Sequence, residues 1–437
     1  MNILLEKQIS SEERRDLLRR PNQEGIATKE TVQKMCLDVK QRGDVAVREY
    51  CKKFDGISVL DFKISTEKIK TAKNNLPVEF MKAVSIAKKN INKFHKSQRS
   101  HQKHVATKEG VECWRETRSI ERVGLYIPAG SAPLPSTVLM LGIPAILAGC
   151  RQIILCSPPR TNGSVDPYVM ATADAIGLND VFQVGGVQAI AALAYGTKTI
   201  PKVDKIFGPG NKFVTAAKQY VSTDPDGASI DLLAGPSELL ILADKSARPE
   251  IVAYDLISQA EHDADAQSIL VTPDEDFAIS VQSDISKRIS EFPRREIIEA
   301  SLKRGYIFVA SSITSAIQFA NEYSPEHLII NMKNAKKITD SILNAGSVFI
   351  GSFTPVTAGD YASGTNNTLP TGGTAKWIGG VSLDSFQKSI SFQSITRKGL
   401  RNLSPTLLQF AHAEGLSAHA RAVESRLSKK KIVKYEN

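Results

Sequence analysis

The sequence is poor in several features that would commit it to a class. Five cysteines among 437 residues (Cys36, Cys51, Cys113, Cys150, Cys156) form an odd set at irregular spacing with no CxxC pair. They suggest neither a disulfide framework nor a cysteine zinc site, and the cytoplasm is the expected compartment. No apolar run reaches the roughly 20 residues that span a bilayer. The longest, from Val138 to Cys150, contains Gly142 and Pro144 and reads as a buried helix. Glu6 and Lys7 interrupt the first hydrophobic residues at once, so no signal peptide and no membrane partner are expected. Neither GxGxxG nor GxxxxGKS/T occurs, which leaves standard dinucleotide and P-loop chemistry without a motif. Internal repeats and low-complexity stretches are also lacking.

What is present is an ordinary globular composition, 42% apolar and 23% charged, in a chain long enough for about three domains. The formal charge of +10 concentrates in two places, Lys88 to Lys103 and the tail Lys429, Lys430, Lys431 and Lys434. In the first, Phe80, Val84, Ala87, Ile91 and Phe94 recur at the spacing of one helix face, so its lysines form the solvated face. No RNA- or DNA-binding signature accompanies them, and no nucleic-acid partner is expected. Beyond Leu427 no apolar periodicity remains, and the basic tail is expected to fray.

Residues 1 to about 120 read as mostly helical. From Val123 short apolar strands alternate with helices, the pattern of parallel sheets with crossover helices. Nine strands are predicted: Val123–Ile127, Gln152–Cys156, Val181–Val184, Lys205–Phe207, Leu239–Ala243, Ser268–Thr272, Tyr306–Val309, Leu328–Asn331 and Ser347–Ile350. Nine exceed one small sheet, so two α/β units are expected, one inserted in the other. After about residue 380 strand signals fade and Pro405–Leu427 reads as helix.

Three strands run into glycine loops that open helices: Ile127 to Pro133, Val184-Gly185-Gly186-Val187-Gln188, and Phe207-Gly208-Pro209-Gly210-Asn211. Backbone N–H groups at such strand ends meet phosphates, which suits a nucleotide; each loop alone is equally a plain tight turn. A second constellation is polar. Gln259 and His262 lie three apart on a predicted helix, so both would face one way, toward a metal such as Zn²⁺ or into structural hydrogen bonds. Glu326-His327 follows Ser324-Pro325 in a loop at the mouth of the sheet and suits acid/base work, or else forms a surface ion pair. Asp360 sits in a glycine-rich loop, and Glu414 and His419 near the C-terminus. His95, His101, His104 and His412 read as solvated.

These residues resemble the histidinol dehydrogenase family. The resemblance runs over nearly the whole chain and is carried by seven segments in order. They begin at Gly124 (GLYIPAGSAP), Gln183 (QVGGVQAIAAL), Val203 (VDKIFGPGN), Ala234 (AGPSE), Ser258 (SQAEH), Ser324 (SPEHL) and Ala358 (AGDYASGTN). It implies an NAD-dependent, four-electron oxidation of L-histidinol to L-histidine through bound L-histidinal, closing histidine biosynthesis. By matching positions, Gln259, His262, Asp360 and His419 are implied as zinc ligands, and Glu326 and His327 as the catalytic pair. His327 would take the alcohol proton, Glu326 would activate water, and His327 would act again in the second oxidation. Ser237 and Glu414 are implied as further substrate contacts beside Gln259, His262, His327, Asp360 and His419. Tyr126, Gln188 and Asn211 are implied as NAD contacts.

The implied fold is α/β, with two incomplete Rossmann-like doubly wound domains, an N-terminal helical segment and a small C-terminal helical domain. Its expected divisions are 1–25 for the helical segment, 26–122 with 238–380 for the zinc and catalytic domain, 123–237 for the inserted NAD domain, and 381–437 for the C-terminal domain. The family also implies a homodimer with shared active sites, Glu414 and His419 acting in the partner's site. One position departs from the family pattern: many members have histidine where this chain has Asn367, which hydrogen-bonds but carries no charge. That departure keeps open an alternative, a paralog acting on a different amino alcohol or a sulfonated diol.

Overall fold

The computed structural model of the chain describes residues 1–20, 26–99, 103–129, 133–160 and 163–428. His101, the middle of the first glycine loop and the basic tail lie outside the described residues. The chain forms two compact units, residues 1–98 with 120–386, and residues 99–119 with 387–437.

All nine predicted strands are present in the first unit, in two parallel sheets. The five-stranded sheet runs, edge to edge, through Val181–Gln183, Gln152–Ser157, Arg122–Tyr126, Lys205–Phe207 and Ser229–Ile230. In chain order this is 3-2-1-4-5, the doubly wound arrangement whose strand order reverses beside its first strand. The second sheet repeats it with Tyr306–Val309, Gln267–Thr272, Glu238–Ala243, His327–Asn331 and Ser347–Ile350. Its central strand is covered on both faces, as parallel strands require. Leu239, Ile241 and Ala243 enter one core cluster, and Leu240 and Leu242 the other.

Four sequence expectations give way here. A strand, Asn2–Leu5, opens the segment expected to be helical and pairs with Tyr306–Val309 as a sixth strand. In the second unit, Val105–Lys108 and Val111–Ser119 fall where helix was expected, and the nine-residue strand Gln387–Ile395 pairs antiparallel with the latter. Alternating polar and apolar residues such as Ser389-Ile390-Ser391-Phe392 carry that strand, a weaker signal than the apolar runs of a parallel sheet. His95 is the third correction. In the helix Val78–Lys96 it takes the fully buried place expected of Phe94, which is 43% exposed. The helices between 26 and 98 share their core with the five-stranded sheet, whereas the sequence groups them with 238–380.

A seven-residue connection, 231–237, joins the last strand of the first sheet to the central strand of the second, a span of at most about 25 Å. Lys218 ties it down: its buried ammonium meets the Asp231 carboxylate and the Gly208 carbonyl. Asp231 in turn accepts from the Gly208 N–H at 2.7 Å. Gly208 has φ +119°, and a Cβ there would lie 2.1 Å from the Tyr126 carbonyl oxygen, so this turn admits only glycine. Replacing Lys218 by Met leaves Asp231 buried without its counter-charge. Urea unfolding should show a loss of about 3–5 kcal/mol; a loss of a few tenths would mean that water replaces the ammonium.

Candidate active site at the amino edge of the second sheet

Ligands of doubly wound sheets usually gather at the carboxyl ends of the strands. Here Glu326 and His327 stand at the opposite edge. Glu238 and His327 are the first residues of two paired parallel strands, with His327 in register with Leu239, on either side of the point where the strand order reverses. His327 thus belongs to a strand, whereas the sequence placed it in a loop. Ser324 before it adopts φ 55°, a left-handed conformation that ends the helix Ile313–Tyr323 and turns the chain into Pro325-Glu326-His327.

Both side chains are buried, Glu326 at 7% and His327 at 4% exposure, and both are held by their neighbours at the head of the adjoining strand. Glu326 Oε2 accepts from Ser237 Oγ at 2.7 Å and from the Glu238 N–H at 2.8 Å. The Glu238 carbonyl lies 3.1 Å from His327 Nδ1. Because a carbonyl only accepts, Nδ1 must carry the proton. Nε2 then points the other way, buried, without a hydrogen-bond partner, and 3.6 Å from Asp360 Oδ1. Burial pushes this imidazole down, but the Glu326 and Asp360 carboxylates outweigh it and raise His327 to about 10. Without a metal, the two carboxylates thus favour the protonated ring, where a base near neutrality was expected.

Asp360 arrives from the short helix Val356–Tyr361. Gly359 beside it packs on the Phe349 ring, which a Cβ would approach to 2.7 Å, and that ring in turn lies 5.9 Å from the His327 ring. Asn367, half-buried, donates to the Asp360 carbonyl at 3.4 Å. Gln259 is fully buried on the helix Pro249–Ala260, and its Nε2 has no partner. Amide nitrogen and oxygen are interchangeable in placement, so this is an open polar valence inside the protein. His262 corrects the helix argument: the helix stops at Ala260, and His262 follows its C-cap, exposed, its N–H bonded to the Gln259 carbonyl at 3.3 Å. Among the described residues no group of three His, Cys, Asp or Glu side chains converges on one point. Glu414 and His419 are exposed in the second unit.

At the carboxyl edge of the first sheet, the expected cofactor residues differ in kind. Tyr126 is buried and its hydroxyl accepts from the Gly186 N–H at 3.1 Å; Gln188 is buried and donates to Asp55 at 3.3 Å. Tyr126 thus braces the Gly185-Gly186 turn, and Gln188 lies in the helix that the turn opens. Asn211 is exposed and caps the helix Lys212–Thr223, accepting from Phe213 and Val214. Glu238 was missed as a site residue. Its signal was available: a carboxylate at the head of an otherwise apolar strand.

The family profile of histidinol dehydrogenase matches residues 18–427. The histidinol dehydrogenase of Bacteroides thetaiotaomicron is 47% identical over 419 residues, 96% of this chain and 97% of that one. That of Escherichia coli is 46% identical over 423 residues, 96% of each chain. The crystal structure of histidinol dehydrogenase from Elizabethkingia anophelis superposes with a TM-score of 0.94 at 47% identity, covering 98% of both chains. This chain belongs to the histidinol dehydrogenase family. It is an oxidoreductase of histidine biosynthesis that oxidises histidinol, and these relatives do not favour the paralog alternative.

The charge state of His327 has a measurable consequence. A histidine raised in the folded state stabilises the fold fully below its ordinary value of 6.5, and that contribution fades as pH climbs to about 10. In metal-free protein, the stability difference between wild type and His327→Asn should therefore shift against the wild type from pH 6.5 to 10. A difference independent of pH would contradict this.

Proposed function

We propose that this family member uses NAD for both oxidations of L-histidinol, holding L-histidinal in place between them, with Glu326 and His327 as the catalytic pair. The observation that carries this reading is the His327 ring: Nδ1 is committed to the Glu238 carbonyl, so only Nε2 is free to face a substrate hydroxyl. Hydride leaves readily from an alcohol only as its proton goes to a base, and His327 Nε2 takes that proton. Glu326 then activates the water that hydrates the aldehyde, through Oε1, which neither the Ser237 nor the Glu238 bond uses. His327 takes the second hydroxyl proton in turn. Ser237 contributes to substrate binding beside Glu326, and Asp360 stands on the far side of His327.

Gln259, His262 and Asp360, with His419 from a second copy of the chain, suit zinc by donor type, and the unpartnered amide of Gln259 fits such a role. Bound there, zinc would anchor the nitrogens of histidinol and offset the Asp360 charge that helps keep His327 protonated. NAD supplies the two hydride acceptors, and its place is the carboxyl edge of the first sheet, with Asn211 exposed there and Tyr126 and Gln188 shaping the turn. The expected domain roles follow: 123–237 for NAD, 238–380 for zinc and catalysis, and the C-terminal segment for the partner's site through Glu414 and His419. No described helix is long and apolar enough to cross a membrane, and we place the enzyme in the cytoplasm.

Purified protein should form two NADH per L-histidinol, with activity lost in His327→Asn and depleted by chelation. One NADH per substrate would refute the four-electron reading. Shared sites make a further claim. Mixed and reassociated His327→Asn and His419→Asn chains, each inactive alone, should recover roughly a quarter of wild-type activity, since half the dimers hold one intact site. No recovery would place each site within one chain.

A further inference from the structure

Glu238 grips both members of the catalytic pair through its peptide groups, and its own side chain is held from behind. Arg20 lies at the end of the N-terminal segment, 218 positions away in sequence. Its Nε and one Nη donate to Glu238 Oε1 and Oε2 at 3.0 and 2.9 Å, a bidentate pair with Glu238 at 2% exposure. The guanidinium also lies 3.5 Å from the Tyr323 ring centroid and donates at 3.5 Å to the Ser324 carbonyl, immediately before Pro325-Glu326-His327. Glu238 Oε1 accepts a third bond from the Gly372 N–H at 2.8 Å. Burial pushes the Glu238 carboxyl up and its bonds to Arg20 and Gly372 oppose that shift, while for Arg20 the Glu238 contact outweighs burial and holds the guanidinium above its usual range.

We propose that Arg20 is a positioning residue for histidinol oxidation: its planar fork sets Glu238, and the turn at Ser324, in the register from which Glu326 and His327 are aimed at the substrate. The inference rests on the assignment of those two residues as the catalytic pair. Its physical basis is that one rigid group touches both chain segments that carry the site. Glu238 supplies the N–H to Glu326 and the carbonyl to His327, and Ser324 opens the turn that delivers both. A buried ion pair adds little net stability, because desolvation offsets its attraction, so geometry is what it contributes. Lysine cannot replace it, since a point charge lacks the fork that meets both carboxylate oxygens. Arg20 acts through Glu238 and Ser324, and a displacement of about 1 Å at the reacting atoms costs on the order of 10²-fold in rate.

The test compares Arg20→Lys, Arg20→Ala, Glu238→Gln and His327→Asn in the zinc-loaded enzyme, with Arg19→Ala as the neighbouring control. Arg19 pairs with Asp16 at the surface and should leave kcat unchanged. Arg20→Lys and Glu238→Gln should lower kcat by about 10- to 100-fold, with KM for L-histidinol and for NAD moved less than threefold. A merely structural residue would lower the amount of folded enzyme and leave the kcat of what remains intact. A cavity of about 350 Å³ lined by Asp16, Arg20, Asp265, Arg304 and Tyr306 opens onto this side chain. Free guanidinium at millimolar concentration should enter it and restore kcat to Arg20→Ala, where equal urea should not. Should Arg20→Ala fail to fold, the kcat/KM split in Arg20→Lys and Glu238→Gln decides. Wild-type kcat in both variants overturns the proposal. Wild-type kcat in His327→Asn overturns instead the catalytic reading on which it rests.

Discussion

A peptide carbonyl accepts hydrogen bonds and never donates them, and at the amino edge of the second sheet one such carbonyl, that of Glu238, faces His327 Nδ1. The orientation of the site depends on this contact. It assigns the proton on one ring nitrogen and turns the other toward Asp360. The N–H of the same residue holds Glu326, so one residue at the head of the central strand disposes both reactive side chains. Parallel pairing of the strands Glu238–Ala243 and His327–Asn331 brings these groups together, and the apolar faces of Leu239 to Ala243 hold that pairing in place.

The two sheets share one strand order and use opposite edges. In the proposed function the first offers the carboxyl ends of its strands to the nucleotide, where Gly186 and Gly208 turn with positive φ. The second offers its amino ends. Chain connectivity reconciles them, since the 231–237 connection leaves a carboxyl end of one and enters an amino end of the other. The buried Lys218–Asp231 pair fastens that connection to the Gly208 turn, and six residues later Ser237 bonds to Glu326. Under the proposed function, this short, pinned segment is a covalent route that fixes oxidant and substrate relative to one another.

Much of this was legible in the sequence. Parallel strands buried on both faces read as unbroken apolar runs, and nine of the eleven in the two sheets were found within one or two residues, the two-residue strand Ser229–Ile230 being too short to show. Strands whose pattern alternates were missed, as was Asn2–Leu5, too short to be told from a helix start. Glu326, His327 and Asp360, each singled out in the sequence as a titratable side chain beside glycine or proline, stand close together in the structure. The rotation of His327, the role of the Glu238 peptide and the burial of Gln188 were not legible, since each depends on which backbone group a distant segment presents. His262 shows a related limit: its spacing from Gln259 is helical, but the helix ends two residues earlier.

The most direct measurement is ¹⁵N NMR of the histidine-labelled protein, with the His327 resonances assigned by their loss in His327→Asn. The account predicts that Nδ1 of His327 carries a proton at every pH at which the protein is folded, and that any titration occurs at Nε2. A neutral ring with the proton on Nε2 and a bare Nδ1 would contradict it, because the Glu238 carbonyl would then face a second acceptor and the site-facing nitrogen could not act as the base.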